Sequence, residues 1–310
     1  MFSLSLGNSS SKYFDYTTTV KSAAMIMCAD SNIRKGFVLT LCFAFALTAS
    51  GCAAFKPTDP NGPATNAPSY PIELSDLGAR LEETSLAWYQ LSQRYGIPGK
   101  TEANLHPYTA TVESLPANLG APIYLPKVGS PTSPTEDDVR ESLRRFIVEW
   151  RQLIGAEPNE LSLVERVDEP SGVKVARYEQ RPFRYPLRGP FGSLVIRFRS
   201  NWQLVGFSSS CIPHADRLQG TLAGLTPKIT ADQAVSRIKG QSITLNNGQQ
   251  TLTLPANAVA EARELVVYAQ PSKNPPSNLE IRLAWEIHIT NAPVKTVYLD
   301  AISEDIIATS

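Results

Sequence analysis

Cys211 and His214 stand three residues apart in Ser208-Ser209-Ser210-Cys211-Ile212-Pro213-His214, a spacing that invites a chemical reading. A thiol near an imidazole could act as a nucleophile, or as a thiolate offered to a partner's zinc ion. The competing assignment is a linker holding one small, inert cysteine. A nucleophile also needs an orienting third group and an oxyanion hole, and no local pattern supplies either. The acidic run Glu136-Asp137-Asp138 could suggest calcium, but it equally forms the first turn of a helix, where negative charge meets the positive end of the dipole. His288 lies between Glu286 and Thr290 on the alternating face of an apolar run and reads as a sheet-face histidine. These residue types predict no catalytic centre, no metal site and no cofactor.

A second cysteine carries a stronger signal. Arg34 and Lys35 precede the apolar run Gly36 to Ala49, which closes in Leu47-Thr48-Ala49-Ser50-Gly51-Cys52. Charged, apolar, then small residues is the order of a secretion signal, and a run this short does not span a bilayer comfortably. The small residues before Cys52 resemble a bacterial lipobox, which implies a diacylglycerol thioether on that thiol, cleavage before Cys52, and palmitate on the new amino terminus. The alternatives are a plain signal peptide with an incidental Cys52, or an uncleaved anchor. A start at Met25 or Met27 gives a leader of ordinary length, so residues 1–24 read as a start-site artefact inside a leader of residues 1–51. Localisation at the cell envelope follows, at an outer membrane or cell surface, because Ala53 is not the aspartate typical of inner-membrane retention.

Removing residues 1–51 takes away four basic and two acidic residues and leaves 25 positive and 27 negative charges. Near neutrality without a basic stripe argues against nucleic acid. Cys28 and Cys42 leave with the leader, so Cys211 is the remaining free thiol and no internal disulfide or cysteine metal cage is expected.

The elements follow from composition and period. Residues 52–73 are rich in Pro, Asn, Thr and Gly and read as a flexible tether. Residues 74–132 are expected to hold a helix, Leu74 to Tyr95, capped by Ser75 or Asp76 with Leu77, Leu81, Leu86 and Tyr89 among its apolar positions. A proline-rich loop follows, with one short strand near Ile123-Tyr124-Leu125. A second helix opens at Ser133-Pro134-Thr135-Glu136, and its Val139, Leu143, Phe146, Ile147, Trp150 and Ile154 fall on one face. Period-two patterns then predict antiparallel strands around Leu161-Leu163, Val173-Val175, Leu194-Phe198 and Trp202-Gly206, with a reversal at Pro186 to Gly192. A linker near 208–228 leads to a short helix, Thr230 to Ile238, and strands at Leu265 to Tyr268, Leu283 to Ile289 and Thr296 to Leu299. Trp150, Trp202 and Trp285 read as core or sheet-face aromatics.

Residues 146–198, with Arg177-Tyr178-Glu179-Gln180 at their centre, resemble the propeptide module of fungalysin and thermolysin-type peptidases (FTP). The runs ITADQAVSRIK (229–239), LVVYA (265–269), LAWEIHI (283–289) and VYLDAISEDII (297–307) resemble the PepSY half of the same propeptides. Two departures stand out: Arg184 and Glu304 replace glycines of the family pattern. The resemblance implies an α+β fold of two small units, residues 133–210 and 227–310, each a curved antiparallel sheet packed on helices. It also implies a role in assisting or inhibiting a secreted zinc metalloprotease, with Arg177, Tyr178 and Gln180 as candidate partner-binding residues. The chain itself has no peptidase helix: His106, His214 and His288 are each followed by residues that cannot form His-Glu-x-x-His. The alternative function is a cell-envelope structural or interaction lipoprotein without a protease partner.

Overall fold

A computed structural model describes residues 69–129, 134–239, 242–245, 250–255 and 257–310. Cys52 and most of the expected tether lie outside the described residues. In chain order the described elements are β1 (Ile72–Leu74), α1 (Leu77–Tyr95), β2 (Asn104–Leu105), β3 (Val112–Ser114), α2 (Glu136–Ile154), a 3-10 turn (Pro158–Glu160), β4 (Leu161–Asp168), β5 (Val173–Gln180), β6 (Leu187–Arg188), β7 (Ser193–Arg199) and β8 (Leu204–Ser209). Then come α3 (Ala215–Ala223), α4 (Ala231–Ile238), β9 (Ser242–Leu245), β10 (Gln250–Thr253), β11 (Val259–Pro271), β12 (Leu279–Thr290), β13 (Thr296–Asp300) and β14 (Ile306–Thr309). The fold is mixed α+β, with four α-helices among the described residues and several antiparallel sheets.

Helix α2 forms where the sequence places it. Thr135 Oγ1 accepts from Asp138 N at 3.2 Å while Asp138 Oδ2 accepts from Thr135 N at 2.8 Å, a reciprocal capping box, and Gly155 ends the helix at φ 78°. Its stripe packs on the four-stranded sheet β4-β5-β7-β8. Leu143, Phe146 and Trp150 meet Ala176, Leu194, Ile196, Phe198 and Phe207, and the edge of Phe207 meets both Phe146 and Trp150 at 5.8 and 5.5 Å.

Helix α1 joins the same core through Ala87, Trp88 and Leu91. Its buried face also holds Arg80, Thr84 and Ser92, whereas the expected apolar positions Leu81, Leu86 and Tyr89 are exposed. The expected face is therefore corrected: Trp88 and Leu91 orient the helix, because burying those two larger side chains outweighs covering the weaker row. Asp76 occupies the N-cap position without a side-chain cap bond.

The second sheet runs β14-β13-β12-β11-β6, with β1 on β12. Alternation along β12 sends Ile281 toward Leu218 and Leu222 of α3, and Ile287 and Ile289 toward Ala234 and Ile238 of α4. Glu280, Arg282, Glu286 and His288 alternate with these apolar residues and so face the opposite side. Two findings cut across the unit boundaries expected from sequence. Leu187-Arg188, inside residues 133–210, pairs in parallel with Val267-Tyr268 of β11. Gly189 permits that approach: its φ is 103°, and a Cβ there would stand 2.2 Å from the Ala269 carbonyl oxygen.

The end of the expected tether is held by the second sheet. Ile72 pairs with Ile281, and Tyr70 donates to Asp300 Oδ1 at 2.7 Å. Asp300 is fully buried and also accepts from Arg282 Nη1 at 2.8 Å and from the backbone N–H groups of Ile302 and Ser303 at 2.8 and 2.9 Å. Those donors replace the water lost on burial. Burial and the neighbouring Asp300 carboxylate push the Tyr70 hydroxyl well above its ordinary 10.0. The linker near 208–228 contains α3, and residues 97–129 contain the β2–β3 pair besides the bridge from Tyr124 to Gln203. Trp202 is buried but sits in the turn before β8 at φ 70° rather than in the strand.

Candidate functional site

The residues Arg177, Tyr178 and Gln180 lie on β5, where alternation divides them between two faces. Arg177 is exposed on the outer face, and its Nε is 2.7 Å from Oε2 of the cross-strand Glu165. Tyr178 and Gln180 point the other way and are buried. Tyr178 packs in the core beneath α2, and burial raises its hydroxyl to about 12. Its ring borders a shallow cavity of about 360 Å³ that Arg140 and Arg144 also line.

Gln180 acts on the backbone ahead of α3. Its Nε2 donates to the Ile212 carbonyl at 3.0 Å, and its Oε1 accepts from Ile212 N–H at 2.8 Å. Both ends of one side-chain amide thus replace a missing strand pairing, and at 2% exposure no water could do so. Gln180 therefore links the first sheet to the segment that carries α3.

Strand β4 lies beside β5 at the edge of the sheet. It pairs with β5 and its residues from Val164 to Asp168 are exposed. A register shift between Leu163 and Glu165 interrupts the ladder at Val164. Glu165 and Arg166 supply charge along the strand, and a bulge with charge limits indiscriminate pairing at an open edge.

Cys211 and His214 do not form a reactive pair. Cys211 is fully buried, its Sγ donates to Ser193 O at 3.7 Å, and burial pushes the thiol up to about 12. A thiol held protonated and out of solvent is neither nucleophile nor zinc ligand. His214 instead lies with Nε2 3.6 Å from Glu83 Oε2. Asp138 serves the helix cap already described. His288 Nε2 is 3.6 Å from Glu286 Oε1, and that carboxylate accepts from Arg188 Nε at 2.6 Å through Oε2. No group of three metal-ligating side chains occurs among the described residues.

Glu304 has a local structural explanation. It adopts φ 66°, a left-handed conformation that costs a non-glycine residue about 1–2 kcal/mol. Its carboxylate pairs with Arg237 of α4, an interaction glycine could not make.

Arg80 gave no sequence signal beyond its place four residues after Asp76. It is 4% exposed, and its Nη1 donates to the carbonyls of Tyr108 and Thr109 at 3.2 and 3.4 Å. Arginine on a helix ordinarily reads as solvent-facing, and only tertiary packing buries it. No helix among the described residues is long and apolar enough to cross a membrane. Comparison with protein-family models and with curated proteins gave no match to this chain.

Proposed function

We propose that this chain is a membrane-anchored, non-catalytic, propeptide-like binding protein whose partner is a secreted thermolysin-type metalloprotease, which it inhibits or helps to fold. The observation that carries this reading is the exposed edge strand β4, lying beside the β5 strand that bears Arg177-Tyr178-Glu179-Gln180. An extended protease segment would add to the Glu165–Asp168 stretch by main-chain hydrogen bonds, with Arg177 and Val167 meeting its side chains. The order of elements supports the PepSY-like part: a capped helix, α4, precedes the long antiparallel pair β11–β12 and then β13. Membrane attachment rests on Cys52.

The test is to titrate the full chain, solubilised in detergent, into a thermolysin-type protease secreted by the same cell and to follow hydrolysis of a small fluorogenic peptide. Stoichiometric loss of activity, or recovery of active protease from a refolding mixture that otherwise yields none, supports the proposal. Neither effect, with the chain folded, moves the assignment to a cell-envelope interaction role. Arg166→Pro removes an outward-facing backbone donor from the edge strand, because Val167 N–H, like that of Glu169, faces β5, and it is expected to weaken any such effect.

A further inference from the structure

Buried polar atoms without a partner divide into two kinds. Arg80 Nη2, Ser92 Oγ and Trp150 Nε1 are unpartnered among the described residues and sealed from solvent, so nothing in solution reaches them. The Tyr178 hydroxyl differs. Tyr178 is 8% exposed, its hydroxyl makes no hydrogen bond among the described residues, and it is not one of the sealed atoms. Its remaining contact with solvent falls at the cavity of about 360 Å³ that it lines between α2 and the edge strand β4. A buried donor without an acceptor is costly, and this one is open to an acceptor from outside.

The walls of the cavity are apolar below and cationic above. Leu161 and Leu163 of β4, Ile147 of α2 and Pro158 make the floor, and Arg140 and Arg144 of α2 make the rim. The floor stays open because β4 is the last strand of its sheet and α2 packs over the inner strands. Leu194 and Ile196 of β7 are fully buried, whereas Leu161 and Leu163 are only partly covered.

Positive charge is in surplus at the rim. Arg140 and Arg166 share Glu136, and Arg144 and Arg145 share Glu141, so four guanidiniums stand against two carboxylates. Arg140 and Arg144 are 62% and 54% exposed, and each keeps further N–H donors for a second acceptor. Burial raises the Tyr178 hydroxyl, and Arg140 and then Arg166 offset part of that rise, which places both guanidiniums within reach of it. No acidic side chain among the described residues lines the cavity. A small surplus over an apolar floor suits one negative charge on an apolar body, and a guanidinium fork matches a carboxylate.

We propose that this cavity binds a monocarboxylate with a compact apolar body, either a free arylalkyl acid or the carboxy-terminal residue of a peptide. The apolar body rests on Leu161, Leu163 and Ile147, and the carboxylate accepts from the Tyr178 hydroxyl and from Arg140 or Arg144. The volume lies in the range of small-molecule sites. A peptide could continue along β4: Glu160 accepts from Arg181 N–H on the β5 side, so alternation turns the main-chain groups of Leu163 outward. The assignment needs no protease and stands apart from docking along Glu165–Asp168.

Isothermal titration of the full chain in detergent micelles, with the heat of transfer into empty micelles subtracted, tests it. The probes are hydrocinnamate and N-acetyl-alanyl-alanyl-phenylalanine. At least one should bind saturably, and its carboxamide should bind about tenfold more weakly or worse, since it lacks the charge. An advantage of about tenfold for the peptide identifies a carboxy-terminal residue as the ligand, and equal or weaker peptide binding identifies a free acid. Tyr178→Phe keeps the ring in the core and removes only the hydroxyl, so it should leave the thermal midpoint in place and weaken the carboxylate about tenfold. Replacing both rim residues, Arg140→Gln with Arg144→Gln, should abolish the preference for carboxylate over carboxamide. No saturable binding of either probe, equal binding of acid and amide, undiminished binding by a folded Tyr178→Phe chain, or tighter binding of inorganic phosphate would each overturn the proposal.

Discussion

Helices α1 and α2 are each 19 residues long, and they carry their inward stripe at the same spacing. In α2 the positions are Val139, Leu143, Phe146, Ile147, Trp150 and Ile154; in α1 they are Arg80, Thr84, Ala87, Trp88, Leu91 and Tyr95. The first is apolar throughout, and its N-terminus is closed by a capping box. The second places a charge and a hydroxyl at its N-terminal end, lacks a side-chain cap bond, and leaves Leu86 and Tyr89 at 58% and 57% exposure. Identical geometry therefore does two jobs. Helix α2 is a packing element with its whole inward stripe committed to the core, whereas α1 is positioned by its C-terminal half and brings Arg80 of its N-terminal half to a cleft.

The largest effect expected from this contrast is Trp150→Ala. Trp150 is fully buried between Phe146 and Phe207, so the substitution removes transfer energy and leaves a cavity, together about 3–5 kcal/mol. Urea denaturation should show the midpoint falling with little change in slope. A loss below about 1 kcal/mol would mean that α2 does not organise the core.

Arg80→Met comes next. It keeps most of the side-chain stem but leaves the Tyr108 and Thr109 carbonyls without their Nη1 donor, for about 1–3 kcal/mol. Removing the unpartnered Nη2 offsets part of that loss, so the result should stay below the Trp150 value. Equality of the two would show Arg80 to be as structural as the core tryptophan and would erase the distinction between the helices.

How far each helix was legible from sequence follows from the same contrast. Thr135, Asp138, the apolar stripe and Gly155 all agree for α2, and so its extent could be read directly. For α1 the end was readable from Gly96 and Pro98, but not the start, because Leu74 pairs with Leu279 in β1 and the helix begins at Leu77, and not the face, because a leucine count favours Leu81 and Leu86 over a stripe that opens with arginine. Helix α3 was not readable at all: Pro213 and a left-handed His214 precede it, no side chain caps it, and it contains Gly220. The strands of the first sheet were visible through period two. By contrast, β6 exists only because Gly189 lets the turn rest on β11, and the Tyr70 to Asp300 bond joins residues 230 positions apart. At the candidate sites, the inertness of Cys211 was foreseeable from residue type, whereas the buried Arg80 and the Gln180 link to Ile212 arise from tertiary packing.

The caps give a smaller test. Thr135→Ala removes one half of the capping box and should cost about 1 kcal/mol. The first two turns of α2 also set a pH dependence, through the cap and through Glu141. The backbone N–H and then the hydroxyl of Thr135 hold Asp138 below its ordinary 3.8, and Arg144 and Arg145 bring Glu141 down to about 2. Both folded values lie below the unfolded ones, so this stabilisation is complete above pH 4.5 and is lost as pH falls toward about 2. Thermal melts through that window should lose part of their pH dependence in Asp138→Asn and in Glu141→Gln. An unchanged profile in both variants would show that the exposed cap contacts are solvated away.

The smallest effect belongs to the outer face of α1. Leu86 and Tyr89 extend into solvent, so Leu86→Ser surrenders little burial and should alter stability by no more than about 0.5 kcal/mol. Serine has a weaker helix propensity than leucine, which fixes the sign as slightly destabilising. The informative companion is Leu91→Ser, five positions along the same helix but buried in the core at 7% exposure. It should cost several times more, because it loses apolar burial and places a hydroxyl among Trp88 and its neighbours. If the two substitutions proved equal in equilibrium denaturation, α1 would not be docked through Trp88 and Leu91, and the orientation that carries Arg80 to the cleft would be wrong. A large loss for Leu91→Ser with almost none for Leu86→Ser is the result this packing requires.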